Sequence, residues 1–256
     1  MKITVCELPH VPAQLSAAWT ALCEHTARQR PELVVLPEFA FVEPFWESEH
    51  FDLARWDAGV AGCKAWLERL PELGATRVIG TRPVTVAGQQ FNEGFLWSAD
   101  QGLTALRRKY FLPAEPGGWE STWFSRGDRE FPAFAAGEMR FGLNICTELW
   151  ALETYGAYAA DNVSAIISPR ATARATTSKW LAAGVVAAVR AGAYSLSSNR
   201  VHADGSCGGA GWIISPDGAV LAKTSGDAPF VTLEIDLGAA SAAKRTYPRY
   251  VFGRSA

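Results

Sequence analysis

A thiol, a carboxylate and an ammonium that each close a strand-like run are the residues of this chain most able to do chemistry: Cys146, Glu38 and Lys109. Met139, Phe141, Leu143 and Ile145 alternate with Arg140, Gly142, Asn144 and Cys146, the period of a strand with one apolar face. Thr147-Glu148 opens a helix-like stretch. Cys146 is therefore expected at a strand-to-helix turn, on the face away from the apolar residues, where free backbone N–H groups favour the nucleophilic thiolate. Glu38 follows the apolar run Leu33-Val34-Val35-Leu36-Pro37, a place where ligands bind in α/β proteins. Lys109 closes a third strand, beside Arg107 and Arg108, which read as solvated cations. Three strand ends can converge into one site. Each residue also has a plain structural reading: a packed cysteine, a capping carboxylate, a surface lysine. The histidines, His10, His25, His50 and His202, carry no signature of a thiol-activating base.

The elements that must position these groups alternate between strands and helices. Ile3-Thr4-Val5 opens a strand. Gln14 to Arg28 reads as a helix with Leu15, Ala18, Trp19, Leu22 and Thr26 on one stripe. Asp52 to Leu70 reads as a second, with Leu53, Trp56, Val60, Cys63, Leu67 and Leu70 on its stripe. Strands are expected over Arg77 to Val86 and Gln90 to Ser98 around a hairpin at Ala87-Gly88-Gln89. The stretch from Tyr110 to Phe131 has no period and is rich in Pro, Gly and Trp, as long functional loops are. Beyond Cys146 come a helix to about Ala160, a buried strand from Ser164 to Ser168, a helix from Ser178 to about Ala191 and a strand from Tyr194 to Asn199. A hairpin on Pro216-Asp217-Gly218 and a last strand from Val231 to Leu237 complete the order. This is α/β, with mixed sheets and helices outside, and no linker divides it.

Composition narrows the function. The chain has 256 residues, 48% hydrophobic and 20% charged, with a formal net charge of −2. No basic block recommends a nucleic-acid partner, and no apolar run is long enough for a membrane span or resembles a signal peptide. Five irregularly spaced cysteines fit a reducing compartment, so a cytoplasmic location is expected. No zinc-ligand spacing occurs, and neither metal nor cofactor is expected.

The order Leu-Pro-Glu at 36–38, Arg-Lys-Tyr-Phe-Leu-Pro at 108–113 and Gly-Leu-Asn-Ile-Cys-Thr-Glu at 142–148 resembles the carbon–nitrogen hydrolase (nitrilase) superfamily. Glu120-Ser121 with Ser125-Arg126-Gly127-Asp128 looks like that family's second-glutamate segment. Glu148 and Glu153 fall where members carry acidic residues after the nucleophile. Asn199-Arg200-Val201 and Ile213-Ile214-Ser215-Pro216-Asp217-Gly218 match its late hairpin. The resemblance implies a four-layer αββα sandwich, a Glu38, Lys109, Cys146 triad and a homodimer or larger assembly, to which the tail from Lys244 to Ala256 could contribute. It departs from the pattern at Val189-Arg190-Ala191-Gly192-Ala193 and at Gly209-Ala210-Gly211-Trp212, so no well-known branch is matched.

The resemblance also implies a division of labour. Glu38 would be general base, Lys109 and the Thr147 N–H would stabilise the oxyanion, and Glu120 would hold Lys109 and the substrate, with Glu115 as its rival. Thr147, Arg170, Trp119 and Glu148 are the candidate substrate contacts. Arg170 reads either as a fork for a carboxylate or as a surface arginine at a strand end. Trp119, Trp123 and Phe124 would form an apolar wall. Thr147 stands where nitrilases resemble one another in Cys-Trp-Glu, which favours a small amide or carbamoyl substrate. An ω-amidase, an N-carbamoyl-amine hydrolase, a nitrilase and a catalytically silent metabolite-binding member are the alternatives.

Overall fold

Strand β1 (Lys2–Pro9) divides its side chains between two apolar layers. Ile3 and Val5 pack with one cluster, Cys6 and Leu8 with another. Strand β2 (Leu33–Val35) does the same, Leu33 and Val35 to one side and Val34 to the other. Such double burial is what a continuous apolar run produces. The computed structural model describes residues 1–252, and two sheets with helices outside them organise these residues.

The first sheet continues from β1 and β2 into β3 (Arg77–Val86), β4 (Gln89–Ser98) and β5 (Gly102–Arg108). β1, β2 and β3 run parallel, and β3, β4 and β5 antiparallel. The β3–β4 turn falls where expected: Ala87 and Gly88 have φ of 50° and 77°, the left-handed pair of a primed hairpin turn. The second sheet begins with β6 (Phe134–Ala136), β7 (Met139–Leu143), β8 (Ala165–Ile167) and β9 (Tyr194–Ser197). At Ser198 the chain crosses between sheets. The Ser198 hydroxyl donates to the Val35 carbonyl at 2.6 Å and accepts the Cys6 N–H at 2.9 Å. β10 (Asn199–Val201) thereby pairs with β1. β11 (Trp212–Ile214) and β12 (Val220–Lys223) return to the second sheet, and β13 (Phe230–Glu234) adds to β1.

The layers follow from these faces. Ile3, Val5, Leu33, Val35 and Ile79 meet Met139, Phe141, Leu143, Ile167, Leu196 and Ile213 between the sheets. Helices α1 (Pro12–Gln29) and α2 (Leu53–Leu67) cover the far side of the first sheet through Leu15, Trp19, Leu22, Trp56 and Cys63. The single turn α3 (Glu120–Trp123) interrupts the long loop. Helices α4 (Thr154–Ala160) and α5 (Thr177–Ala191) cover the second sheet. Gly142 is needed there, because a Cβ on it would lie 2.4 Å from the Tyr158 ring. α6 (Leu237–Ala243) and α7 (Arg249–Phe252) end the described chain. The arrangement is αββα. Of the tail from Lys244 to Ala256, residues 253–256 lie outside the described residues.

Some boundaries differ from the sequence reading. α2 stops at Leu67, Leu70 belongs to a separate 3₁₀ turn, and Leu53 is 58% exposed at the first helical position. The last strand ends at Glu234, because the Asp236 carboxylate accepts the Gly238 N–H at 2.8 Å and starts α6. Among the described residues no helix is long and apolar enough to cross a membrane.

Candidate active site

Pro37 carries no N–H, so the β2 ladder stops before it, and Glu38 lands at the end of a parallel strand. The Glu38 N–H reaches the Arg170 carbonyl at 3.2 Å, in the segment that follows β8. Phe39 comes next in the left-handed region, at φ of 46°, with its N–H on Thr81 Oγ1 at 2.8 Å. This turn buries the Glu38 carboxylate, whose Oε1 accepts from Asn92 Nδ2 and from Lys109 Nζ, both at 2.8 Å.

Lys109 sits one residue beyond β5, with its N–H on the Asn92 carbonyl at 2.8 Å and its carbonyl accepting the Gly127 N–H at 2.9 Å. A Cβ at Gly127 would lie 2.3 Å from the Arg108 carbonyl oxygen, so glycine is required for this approach. Lys109 has 0% exposure, and its ammonium also lies 2.8 Å from each oxygen of Glu120. Burial opposes the charge, but Glu120 and Glu38 outweigh it and hold the ammonium above its ordinary pKa. Burial pushes Glu120 up to about 7, against the pull of Lys109. Of the two glutamates left open by the sequence, Glu120 touches Lys109, whereas Glu115 is exposed on the loop.

Cys146 departs from its expected placement. β7 ends at Leu143, and Cys146 starts a 3₁₀ turn, Cys146–Trp150, with φ of 47°. A non-glycine residue there stores roughly 1–3 kcal/mol of strain. Its N–H is held by the Pro169 carbonyl at 2.9 Å. The thiolate preference expected from a helix N-terminus is not realised. Burial and the Glu38 carboxylate push the thiol well above its ordinary value, and only partial relief comes from Lys109 and the Ala171 N–H. A turn this short offers little dipole, and the sulfur lies in the field of Glu38, Lys109 and Glu120, with burial and Glu38 favouring its protonated form.

Glu148 is a brace rather than a substrate contact. It is fully buried, and its carboxylate pairs with both terminal nitrogens of Arg107. The same carboxylate accepts the Tyr110 N–H at 2.7 Å and the Ile145 N–H at 2.9 Å. One ion pair thus ties the backbone beside Lys109 to the backbone beside Cys146. Arg107 is buried, not solvated; Arg108, on the alternate face, pairs with Glu93 at 3.4 Å.

Arg170 fits neither expectation. It is buried, and its guanidinium donates to Ser197 Oγ at 2.7 Å, Thr172 Oγ1 at 2.9 Å and the Ala210 carbonyl at 2.8 Å, stacked 3.8 Å from the Trp212 ring centroid. Burial lowers its pKa to about 9. Three of its five N–H donors are taken by interior groups, the side chain has no exposed surface, and its backbone carbonyl accepts the Glu38 N–H.

The aromatic wall also lies elsewhere. Trp123 and Phe124 are buried with Phe39, Phe45 and Trp46 in the layer behind the first sheet, and Trp119 packs against that layer. Thr147 instead opens onto a cleft of about 520 Å³ shared with Phe111, Trp150 and Trp180. The sequence reading missed Asn92, Arg107, Trp150 and Trp180. A polar Asn92 between Phe91 and Phe95 and the inward alternation of Arg107 with Lys109 were the available signals.

The family model for carbon–nitrogen hydrolases matches residues 2–245. Among solved structures, a carbon–nitrogen hydrolase from Helicobacter pylori G27 superposes with a TM-score of 0.83 at 20% identity, covering 98% of this chain and 94% of that one. A CN-hydrolase superfamily protein from Xanthomonas campestris, with an arsenic adduct in its active site, gives 0.75 at 19% identity, covering 100% and 98%. A mutant of the amidase from Nesterenkonia sp. AN1, with acrylamide added at its active-site cysteine, gives 0.73 at 17% identity, covering 94% and 95%. Among curated proteins none matches. The structural likeness, at these identities, speaks for the fold.

Proposed function

The chain belongs to the carbon–nitrogen hydrolase family, and we propose that it hydrolyses a small linear amide through a thioester on Cys146. The observation that carries this reading is the buried ammonium of Lys109, held at 2.8 Å by Glu38 on one side and Glu120 on the other, with Cys146 in the field of all three. Burying three charges costs stability, and a protein that only binds a metabolite has no chemical need for them beside a strained thiol.

The neutral thiol calls for a base during attack. Glu38 takes the Cys146 proton as sulfur bonds to the carbonyl carbon, and the electron pair of the C=O bond moves to oxygen. Lys109 and the Thr147 N–H receive that oxyanion. Glu38 then returns its proton to the leaving nitrogen, the C–N bond breaks and ammonia or an amine departs. A water that gives its proton to Glu38 attacks the thioester, and collapse releases the acid and restores the thiol. Glu120 orients Lys109 and the amide nitrogen.

A nitrile would be attacked at a linear carbon and yield a thioimidate, a course that makes less use of a protonated Glu38 beside a departing amine. An amide and its matched nitrile should therefore differ by at least ~100-fold in kcat/KM, about 2.7 kcal/mol in barrier, in favour of the amide. Paired kinetics with the same side chain test this, and equal or better turnover of the nitrile would remove the amide assignment. Assembly as a homodimer or larger belongs to the same proposal; light scattering at micromolar concentration should give a mass above that of the 27.6 kDa chain, and a stable monomer would contradict it.

A further inference from the structure

We propose that the cleft above Thr147 is the acyl subsite and that the preferred substrates are primary amides of aryl-terminated carboxylic acids. The inference rests on the proposed amide hydrolysis and adds to it what the acyl group is. Two adjoining clefts, of about 520 and 290 Å³, share Phe111, Thr147 and Trp150. Together they are in the size range of small-molecule sites. Thr147 follows Cys146 in the chain and lines both clefts, which puts them beside the residue proposed to attack.

The lining is aromatic where it is near the nucleophile. Trp150 closes the same 3₁₀ turn that Cys146 opens, and Trp180 comes from α5 to meet it, ring centroids 5.6 Å apart at 57°. Phe111, on the loop that leaves Lys109, lines both clefts. Trp150 is 46% exposed, although its neighbours along the turn, Leu149 and Ala151, are buried. A large apolar face held open at that place is surface that a ligand can cover. Polar groups stand farther out along the loop, at Glu115 and Arg126, with Arg126 lying 5.4 Å over the Tyr110 ring. On this assignment a short acyl group such as propionyl covers less of the tryptophan surface than a phenyl-terminated one.

The test is kcat/KM for propionamide, hexanamide and 3-phenylpropanamide, read by ammonia release. Each methylene buried is worth roughly a fourfold gain, so the three added methylenes of hexanamide should give about 60-fold over propionamide, and 3-phenylpropanamide should exceed propionamide by at least ~100-fold. In Trp150→Ala the ratio of 3-phenylpropanamide to propionamide should fall below ~3, and Trp150→Phe should restore most of it. A flat series in the wild type, or a ratio that Trp150→Ala leaves unchanged, would overturn the assignment. If no amide in the series released ammonia, the hydrolytic reading would fail, and the cleft would be tested without turnover. Tryptophan fluorescence of Cys146→Ala should then be quenched saturably by 3-phenylpropanamide, at concentrations at least ~10-fold below those needed for propionamide. Equal concentrations for both would overturn it.

Discussion

Cys146→Ala is expected to lower amide turnover by on the order of 10⁴-fold or more, as loss of the nucleophile does in covalent hydrolases. That is at least ~5.4 kcal/mol of transition-state stabilisation. The fold should survive. Alanine at φ of 47° carries the same left-handed strain as cysteine, and the N–H to the Pro169 carbonyl does not depend on the side chain. Removing the sulfur also removes a group that burial and Glu38 already disfavour as an anion, so no charge is orphaned. Ammonia release and thermal unfolding of the purified variant check both halves. More than a few per cent of wild-type rate, from a protein of wild-type melting temperature, would show that another group attacks.

Lys109→Met is the second large effect, and it should appear in rate and in stability. The ammonium has three N–H donors: one serves Glu38, and the others face the two oxygens of Glu120. In the proposed mechanism one of them turns from Glu120 to the oxyanion, and losing such a donor costs ~10²–10³ in kcat. Methionine fills much of the volume but leaves two carboxylates buried without their cation, a change worth about 3–5 kcal/mol when one partner of a buried pair is removed. The sign of the pH dependence is set by Glu120. Burial already pushes that group up to about 7 with Lys109 present, and without Lys109 it rises further. A carboxylate with a raised folded-state pKa destabilises the fold above its unfolded value, and the penalty fades as pH falls and it binds a proton. The melting-temperature deficit of Lys109→Met should thus be larger at pH 8 than at pH 5. A deficit that grows toward pH 5 would contradict the placement of the ammonium between two buried carboxylates.

Much of this arrangement was legible because strands announce both their faces and their ends. The double-sided apolar run before Glu38, the alternation through Leu143 and the turn pair Ala87-Gly88 each act over a few residues. Glu38 and Lys109, 71 positions apart in the chain, could be brought together only because each closes a strand of the same sheet. The Arg107–Glu148 pair was not legible. Its partners are 41 residues apart, one on β5 and the other in the 3₁₀ turn after β7, and nothing local distinguishes a bracing carboxylate from one that meets substrate. Arg170 misled for a similar reason: a guanidinium buried on Ser197, Thr172 and a backbone carbonyl has no signature in the chain. The loop tryptophans misled in the opposite sense. Trp123 and Phe124 lie in a segment with no period, yet they fill core behind the first sheet, while Trp150 and Trp180, on ordinary-looking helical stretches, face the cleft.

The thioester itself can be seen by mass. With the p-nitrophenyl ester of an acid whose amide is hydrolysed, the good leaving group makes acylation outrun deacylation, so the intermediate accumulates. Acid-quenched intact mass and peptide mapping should show one acyl group per chain, on the peptide holding Cys146, decaying at the rate of turnover and absent from Cys146→Ala. Acylation of Cys6, Cys23, Cys63 or Cys207 instead, or an adduct on Cys146 that water does not release, would contradict hydrolysis through Cys146.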